Sequence, residues 1–426
     1  MMQKIKKPIQ KAFKFKPFSL KQRKVLNWWC ENSPVKEMDG IIADGAIRSG
    51  KSLSMSLSFV LWAMSTYDGQ SFAMCGKTVG SFRRNVLFWL KLMLRGRRYE
   101  IQDNRSDNLC AITKGEITNY FYIFGGRDER SQDFIQGITL AGVFLDEVAL
   151  MPESFVNQAT GRCSVDGSKM WFNCNPSSPS HWFKTNWIDK AKKKNLIYLH
   201  FTMEDNLSLS PKVKERYRRM YVGIFFDRFI LGLWVMAQGL IYPMYEQAFE
   251  EPPEYRAEAY AISIDYGTMN AFSVTLWGKY GSVWWGVDEY YYSGREKGTT
   301  KTDDEYYTDI EEWLKDIPGR LYTVIDPSAA SFIALLRKNT KRYNVKKARN
   351  DVLKGIELTM VAMQRGIIKF SSKCKNTKKE FGGYVWDDSA VEDRPVKVND
   401  HAMDNIRYFV ATSGIADPKT QYIAQW

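Results

Sequence analysis

The amino-acid sequence predicts an α/β protein built from two domains. Three observations support this: a glycine-rich phosphate-binding pattern near the N-terminus, a later series of apolar strands that end in aspartates, and a Pro- and Glu-rich stretch between the two. The chain has 426 residues, 44% of them hydrophobic, which is enough material for two cores. We expect a first domain over residues 1–240, a linker over 241–256 and a second domain over 257–426.

The charge distribution indicates a polyanionic partner. The formal net charge is +13, and residues 1–24 contain nine Lys and Arg and no acid, so we expect a basic N-terminal arm. Charge alone does not distinguish nucleic acid from acidic lipid, but no apolar run approaches the ~18 residues that a membrane span requires. The six cysteines include no C-x-x-C pair, which argues against a structural zinc or a disulfide framework.

The phosphate-binding pattern is GAIRSGKS, residues 45–52. It fits G-x-x-x-x-G-K-[ST], in which backbone N–H groups cradle phosphates, Lys51 reaches the terminal phosphate and Ser52 holds Mg²⁺. The apolar run 41–43 before it predicts a buried strand, and residues 53–64 predict a helix. Because a strand, a glycine turn and a helix are what this chemistry requires, we expect a nucleoside triphosphate here.

A pair of acids follows the next informative strand. Apolar residues 143–145 predict a buried strand that delivers Asp146 and Glu147 to its end. In phosphate-loop ATPases the first acid binds Mg²⁺, and the second positions and deprotonates the attacking water. Two acids after a strand also occur in ordinary turns, so the assignment depends on their pairing with the upstream loop.

A polar turn follows the apolar residues 170–172. Asn173, Asn175 and Pro176 stand there, where translocating ATPases place a motif that senses the γ-phosphate and couples hydrolysis to movement. Asn-Pro is also a common turn sequence in proteins of other kinds. Both interpretations remain open at this point.

The second half of the sequence places acids at corresponding positions. Apolar strands predicted over 261–264 and 321–325 end at Asp265 and Asp326, with a hairpin between them. His401 and Asp404 are three residues apart, so a helix would bring both to one face. This set is typical of a ribonuclease-H-like nuclease, in which acids gather two Mg²⁺ or Mn²⁺ ions.

Other roles for these acids remain open. Each one alone is more often a cap or a surface residue. Asp288 and Glu289 are alternative members of the acid set, although we expect them to be the solvated end of a strand.

The motifs GAIRSGKS, FLDEVALMP, WFNCNPSSPSHWF, SIDYG, VIDPS and DHAMDNIRY, in this order, resemble those of the large terminase subunit of tailed bacteriophages, in the branch typical of phages of Gram-positive bacteria. The resemblance covers roughly residues 16–409. It implies a phosphate-loop ATPase domain of the RecA/ASCE type followed by a ribonuclease-H-like nuclease domain of the RuvC type. It also implies a motor that pumps double-stranded viral DNA into the procapsid with ATP, and an endonuclease that cuts the concatemer at the start and end of packaging.

The resemblance further implies roles for individual residues. Gln22 would read adenine, Arg48 would contact the γ-phosphate, Glu147 would be the catalytic acid/base, and Asn173 and Asn175 would couple hydrolysis to movement. The ATP-Mg²⁺ site would comprise Gly45, Arg48, Ser49, Gly50, Lys51, Ser52 and Asp146. The nuclease would use Asp265, Asp326 and Asp404, with His401 as a further ligand of its two Mg²⁺ or Mn²⁺ ions. Candidates for an arginine that acts on a neighbouring subunit are Arg127, Arg130 and Arg162.

Partners and location follow from the same resemblance. It implies double-stranded DNA, the portal protein of the procapsid and a small terminase subunit as partners, with no membrane. A homo-oligomeric ring is expected when the subunit is docked, and a monomer in isolation. The expected location is the host cell cytoplasm.

Two other classes of protein share some of these features. A DNA helicase or repair translocase with a fused nuclease would carry a second RecA-like lobe, but residues 182–243 contain no second set of ATPase motifs. A DNA-binding structural protein would retain only an inactive phosphate loop. The intact Lys51, Asp146 and Glu147 argue against that alternative.

Overall fold

The computed structural model describes residues 13–388, 390 and 393–416. The chain divides into two compact units, the first comprising Met1–Arg218 and Phe226–Met236 and the second Arg219–Phe225 and Ala237–Trp426. Residues 1–12, which carry part of the predicted basic arm, lie outside the described residues. The segment 241–256, predicted as a linker, belongs to the second unit, where Tyr242 is buried and the Ile241 N–H donates to the Tyr384 carbonyl at 2.9 Å.

The first unit is built on an eight-stranded sheet. Its strands are β1 (Gly40–Gly45), β2 (Ser71–Gly76), β3 (Glu100–Asn104), β4 (Leu109–Lys114), β5 (Ile117–Gly125), β6 (Gly142–Leu145), β7 (Lys169–Asn173) and β8 (Leu196–Phe201). They are arranged in the order β3-β4-β5-β2-β6-β7-β1-β8. The six strands from β5 to β8 in this order are parallel, and β4 and β3 extend the sheet in antiparallel fashion.

Helices cover both faces of this sheet. The α-helices up to residue 240 are α1 (Leu20–Asn27), α2 (Lys51–Thr66), α3 (Val79–Phe82), α4 (Phe88–Leu94), α5 (Glu153–Gly161), α6 (Pro211–Arg218) and α7 (Gly223–Phe226). Ile41 packs into one hydrophobic core with Phe59 of α2, and Ile42 packs into another with Phe155 of α5. Neighbouring residues of a strand point to opposite faces, so β1 is buried throughout and needs apolar residues on both sides.

The second unit contains a six-stranded mixed sheet. Its strands are β9 (Ala259–Asp265), β10 (Ala271–Tyr280), β11 (Val283–Ser293), β12 (Leu321–Ile325), β13 (Tyr343–Lys347) and β14 (Ile368–Phe370), in the order β13-β12-β9-β10-β11-β14. β9, β10 and β11 form an antiparallel meander, and β12 and β13 continue the sheet parallel to β9. The order β11-β10-β9-β12-β13 is the ribonuclease-H-like arrangement. The predicted fold class is therefore confirmed.

One helix of the second unit is fixed by a buried polar network. The helices are α8 (Gly294–Lys297), α9 (Asp303–Trp313), α10 (Ala330–Lys338), α11 (Val352–Gln364), α12 (Lys375–Gly383) and α13 (His401–Ser413). Asn405 of α13 accepts hydrogen bonds from Ser263 and Thr275 at 2.9 and 2.8 Å, and donates to Ser273 at 2.7 Å. Because a buried amide must be fully paired, these bonds set the rotation of α13 against β9 and β10.

Within the described part of the chain, no helix combines the length and the apolarity needed to cross a lipid bilayer.

Candidate functional sites

The phosphate loop follows β1 directly, and two of its positions require glycine. Gly45 has φ +119° and Gly50 has φ +86°, conformations that L side chains rarely adopt. A Cβ on Gly45 would overlap the carbonyl oxygen of Phe201, and one on Gly50 would overlap the side-chain nitrogen of Gln22. At Gly45 the loop is therefore packed too closely against the backbone for any side chain, whereas at Gly50 the backbone conformation is the main obstacle, because the Gln22 side chain can move.

Lys51 is folded back onto the phosphate loop. Its Nζ donates to the carbonyls of Gly45 and Ala46 at 2.9 and 2.7 Å, to Ser49 Oγ at 3.2 Å and to Asn175 Oδ1 at 3.1 Å. Burial lowers the pKa of Lys51 to about 8, although nearby acids oppose the shift. The ammonium group of Lys51 is buried and its hydrogen-bond acceptors are neutral. A phosphate would bind it more strongly than these acceptors do, because a phosphate carries negative charge.

Asn173 joins the phosphate loop to the strand-end acids. Its Nδ2 donates to Asp146 Oδ1 at 2.7 Å and to Ser52 Oγ at 3.3 Å, and its Oδ1 accepts from the Glu147 N–H at 3.1 Å. β7 lies between β6 and β1, so the carboxyl ends of three parallel strands meet here. Burial raises the pKa of Asp146, while hydrogen bonds from Ser52 and Asn173 oppose the shift. The predicted magnesium and coupling residues thus form one cluster.

Glu147 adopts a backbone conformation that is unusual for a side chain of its kind. Its φ is +59°, in the left-handed region that costs a non-glycine residue ~1 kcal/mol or more. The hydrogen bond from its N–H to Asn173 helps to hold this conformation. Strained residues of this kind cluster at functional sites, where the direction of the side chain outweighs the energetic cost of the backbone conformation.

Gln22 and Arg48 both lie at the phosphate loop. The Gln22 carboxamide accepts from the Ser19 N–H at 3.0 Å in a capping box at the start of α1, and its nitrogen lies beside Gly50. Arg48 is exposed, and its guanidinium lies 5.6 Å from the centroid of the Tyr217 ring. The Arg48 side chain therefore lies outside the loop interior and faces solvent.

The structure adds residues to this site that the sequence reasoning did not identify. Asp44, the residue before the loop, is fully buried and bonds to His200 Nδ1 at 3.0 Å and Trp234 Nε1 at 2.6 Å. Asn206 Nδ2 donates to the Arg48 carbonyl at 2.6 Å. An acid within the apolar run GIIADG was a signal for a buried, paired carboxylate, whereas no local pattern marks Asn206.

The three candidate arginines are distant from the phosphate loop in the sequence. They lie on the surface of the first unit. Arg127 and Arg130 are exposed in the segment after β5, and Arg162 is partly exposed at the end of α5.

In the second unit, two of the predicted acids lie at the ends of neighbouring strands. β9 ends at Asp265 and β12 is followed by Asp326, whose N–H donates to the Ile264 carbonyl at 3.1 Å. His401 at the start of α13 brings its Nδ1 to 2.9 Å from Asp265 Oδ2. Asp265 is 7% exposed, so it lies at the bottom of the group.

Asp404 is held by two cations. Arg407 Nη2 donates to its Oδ1 at 2.8 Å, and Lys397 Nζ lies 3.4 Å from its Oδ2. Arg407 is 1% exposed and reaches Asp404 by running past Gly355 of α11, where a Cβ would lie 2.6 Å from its Cδ. Arg407 was detectable from the sequence, because it follows Asp404 by three residues on a predicted helix. Gly355 was not.

The electrostatics of these acids fit a divalent cation. Burial raises the pKa of Asp265 to about 6, the charges of Asp404 and Asp326 add to the rise, and the His401 hydrogen bond opposes it. Burial alone lowers the pKa of His401, but its contact with Asp265 outweighs this and the net shift is upward. Carboxylates that repel one another in a buried site are stabilised by Mg²⁺ or Mn²⁺.

The acids do not yet form a complete metal cage. Among the described residues, no group of three or more His, Cys, Asp or Glu side chains is arranged to hold a metal ion. Both oxygens of Asp404 have cationic partners, Arg407 at Oδ1 and Lys397 at Oδ2. The donor chemistry fits, and a metal ion at Asp404 would take the place of the exposed Lys397 at Oδ2, while Arg407 keeps its hydrogen bond to Oδ1.

Two further glutamates of this unit are helix caps. Glu289, weighed above as a member of the acid set, accepts from the N–H groups of Asn376 and Thr377 and so caps α12. Glu289 is therefore a partly buried helix cap, neither a member of the acid cluster nor a freely solvated strand end. Glu380, which the sequence reasoning missed, accepts from the Ala402 N–H at 2.7 Å and so caps α13.

These two units define a phosphate-loop ATPase joined to a ribonuclease-H-like nuclease. A family model described as "Terminase large subunit, T4likevirus-type, N-terminal" matches residues 42–249. A large terminase from a thermophilic bacteriophage is 55% identical, with 93% of this chain and 99% of that chain covered and a TM-score of 0.89. The chain therefore belongs to the bacteriophage large terminase family, the ATPases and nucleases of viral DNA packaging.

Two further structures of the same thermophilic phage terminase carry nucleotides. The complex with ADP is 54% identical, covers 93% of this chain and 99% of that chain, and has a TM-score of 0.85. The complex with ATP-gamma-S is also 54% identical and has the same TM-score, and the match covers 92% of this chain and 98% of that chain. A search of curated proteins gave no match.

Proposed function

We propose that this chain hydrolyses ATP in its first unit to drive double-stranded DNA into a procapsid, and cuts that DNA with metal-dependent chemistry in its second unit. The observation that carries the proposal is the Asn173 bridge, which joins Ser52 of the phosphate loop to Asp146 and Glu147. Nucleotide binding is supported by the related thermophilic phage terminase, solved with ADP and with ATP-gamma-S.

In the ATPase site, each residue has a distinct task. Lys51 would exchange its contacts with loop carbonyls and Asn175 for the terminal phosphates of ATP. Ser52 and Asp146 would hold Mg²⁺, which offsets charge on the phosphates when bound. Glu147 would accept the proton of the attacking water, and its left-handed backbone conformation would set the direction of its carboxylate. Because Lys51 would leave Asn175 when phosphate binds, occupancy of the loop would be transmitted to the turn after β7.

The adenine and γ-phosphate contacts come from the rim of the loop. Gln22 lies beside Gly50, at the start of α2, and would contact the base. Arg48 faces solvent and would turn towards the γ-phosphate. Exposed Arg127 and Arg130 and partly exposed Arg162 are the candidates for action on a neighbouring subunit in a docked ring.

In the nuclease site, Asp265, Asp326 and Asp404 would hold two Mg²⁺ or Mn²⁺ ions, with His401 as a further ligand. The ions would supply an activated water and stabilise the leaving oxygen of the phosphodiester. Arg407 would orient Asp404, since it donates to one carboxylate oxygen from a fully buried position.

The partners in this proposal are double-stranded DNA, the portal protein and a small terminase subunit, and the location is the host cytoplasm. A net charge of +13 supports a nucleic-acid partner. The test is cleavage of supercoiled plasmid by the full chain with Mn²⁺ or with EDTA, beside a steady-state ATPase assay with Mg²⁺. We expect both activities. Folded protein that cuts no plasmid with any divalent metal would overturn the nuclease assignment, and absent hydrolysis would overturn the motor.

A further inference from the structure

A strongly basic stretch follows Asp326 in the second unit. Residues 327–350 contain seven Lys and Arg and no acidic residue, and the acids on either side are Asp326 and Asp351. The stretch forms α10, β13 and the loop after β13. The stretch has no acid of its own to balance these cations, and the proposed nuclease chemistry does not use it.

The end of β13 is joined to both elements that supply nuclease acids. β13 is an edge strand that pairs with β12 alone, with Lys347 opposite Ile325. The Ala348 N–H donates to the Ile325 carbonyl at 2.8 Å, one residue before Asp326. Adjacent strands lie ~4.8 Å apart, so the backbone of Lys347 is one strand spacing from the acid's own strand.

A second hydrogen bond extends this link to α13. The Arg349 N–H donates to Thr412 Oγ1 at 2.9 Å, on the helix that carries Asp404. The basic segment is therefore anchored at two points, beside Asp326 on β12 and at the C-terminal end of the helix that carries Asp404.

The cations at this end of β13 are exposed and unneutralised. Lys346, Lys347 and Arg349 are all exposed, and no carboxylate of the described residues forms a salt bridge with them. Arg342 differs, because it donates to the carbonyls of Ile317 and Leu314 and so serves the fold. Lysines also protect edge strands from pairing, but protection alone does not require a run of 24 residues without an acid.

We propose that Lys346, Lys347 and Arg349, here called the basic edge, dock the phosphate backbone of double-stranded DNA and deliver it to the nuclease acids. The proposal rests on the nuclease function of the second unit. Without bound metal ions Asp265, Asp326 and Asp404 repel DNA phosphates, and with or without the ions the adjacent cations attract the DNA backbone to this edge of the sheet. Contacts to the backbone carry no sequence information, which suits a nuclease that cuts at many sites.

The test compares two full-chain variants that lose the same charge. Lys346→Gln/Lys347→Gln removes two cations of the basic edge. Lys373→Gln/Lys375→Gln removes two exposed lysines at the start of α12, which packs against β11 on the far side of β9. The rate of supercoiled plasmid cleavage with Mn²⁺ is measured against DNA concentration, and thermal melts verify folding.

For the basic-edge variant we expect the KM for DNA to rise about tenfold with kcat within about twofold of wild type, because the lysines bind backbone and not metal. The control variant should keep both constants. An unchanged KM, equal rises in both variants, or a fall in kcat alone would each overturn the proposal.

A binding measurement separates this proposal from the nuclease assignment. Fluorescence anisotropy of a labelled DNA duplex in EDTA, at several KCl concentrations, requires no cleavage. The plot of log K, the association constant for DNA, against log salt has a negative slope. In the basic-edge variant this slope should become less steep by about 2, one unit per lost phosphate contact. In the control it should stay unchanged. An unchanged slope overturns the docking surface even if plasmid is cut. Lost binding to phosphatidylserine vesicles with unchanged DNA binding would assign the edge to lipid and overturn it as well.

Discussion

Asn173 Nδ2 lies 2.7 Å from Asp146 Oδ1, and this hydrogen bond crosses from the end of β7 to the end of β6. The same amide group holds Ser52 and the backbone of Glu147. A neutral amide is the group that this position requires, because it offers a donor to the acid and an acceptor to the N–H at once.

Replacing Asn173 by Asp should therefore reduce ATP hydrolysis roughly 10- to 100-fold, as loss of a metal ligand's outer partner commonly does. A carboxylate here would repel the buried Asp146 instead of donating to it. The measurement is steady-state ATPase activity with Mg²⁺. Asn157→Asp, the same change at an exposed position of α5, should leave the rate unchanged; wild-type activity in the Asn173 variant would contradict the bridge.

Lys51→Ala should abolish ATP hydrolysis and leave plasmid cleavage intact. The ammonium group is the cation inside the phosphate loop, whereas the nuclease acids belong to the other unit. Both activities are assayed on the same preparation. The exposed Lys192 provides a control substitution to alanine, and substantial hydrolysis by the Lys51 variant would remove the loop from the mechanism.

Asp265→Ala should abolish cleavage, by at least ~100-fold, while ATPase activity stays near wild type. Asp265 lies centrally in the acid group, in contact with His401 and within the field of Asp326 and Asp404, so its loss removes the acid that we propose to be shared by both metal ions. Asp265→Asn removes the negative charge and keeps the shape of the side chain, and it should lose cleavage to the same extent as Asp265→Ala. Asp316→Ala, at an exposed site, should cut normally. An undiminished nuclease in the Asp265 variants would refute the metal site.

Gly355→Ala should destabilise the second unit by about 1–3 kcal/mol and reduce cleavage. The added methyl group would overlap the Arg407 side chain on its way to Asp404, and overpacking of this kind is costly. Gly383→Ala, in α12 where a Cβ meets nothing within 4 Å, should instead stabilise by up to about 1 kcal/mol. Thermal melts and Mn²⁺-dependent cleavage distinguish the two. A change in stability of the same sign in both variants would show that the space at Gly355 for the Arg407 side chain does not matter.

Glu380 predicts a pH dependence of stability. Burial raises the pKa of Glu380 from 4.5 to about 7, so between these pH values the folded state retains a proton that the unfolded chain has lost. Its contribution is therefore fully present below pH 4.5 and is lost as pH rises through 7.

Urea unfolding of wild type and Glu380→Gln measures this contribution. The free energy of unfolding of wild type minus that of the variant should fall between pH 4.5 and 7.5, by on the order of 3 kcal/mol. Glu312→Gln, at an exposed site, should give a constant difference. If the free energies of unfolding of wild type and Glu380→Gln changed in parallel with pH, burial would not raise the pKa of Glu380.

The sequence by itself determined the α/β class, the family and the chemistry of each motif. Hydrophobic periodicity depends only on local geometry, and a phosphate loop works through the backbone of eight consecutive residues. The strand ends that carry Asp146, Asn173, Asp265 and Asp326 were predictable for the same reason. The roles assigned to these side chains remain predictions until the variants above are measured.

Only the tertiary structure decided which side chains meet. The contact between Asn173 and Asp146 depends on β7 lying beside β6, and strand order is not encoded in local periodicity. The space at Gly355 for Arg407 depends on the packing of α11 against α13. The position of Lys347 beside the strand of Asp326 depends on the pairing of β13 with β12. Such contacts join residues that are distant in the chain, and their energies come from packing and pairing that no short stretch of sequence specifies.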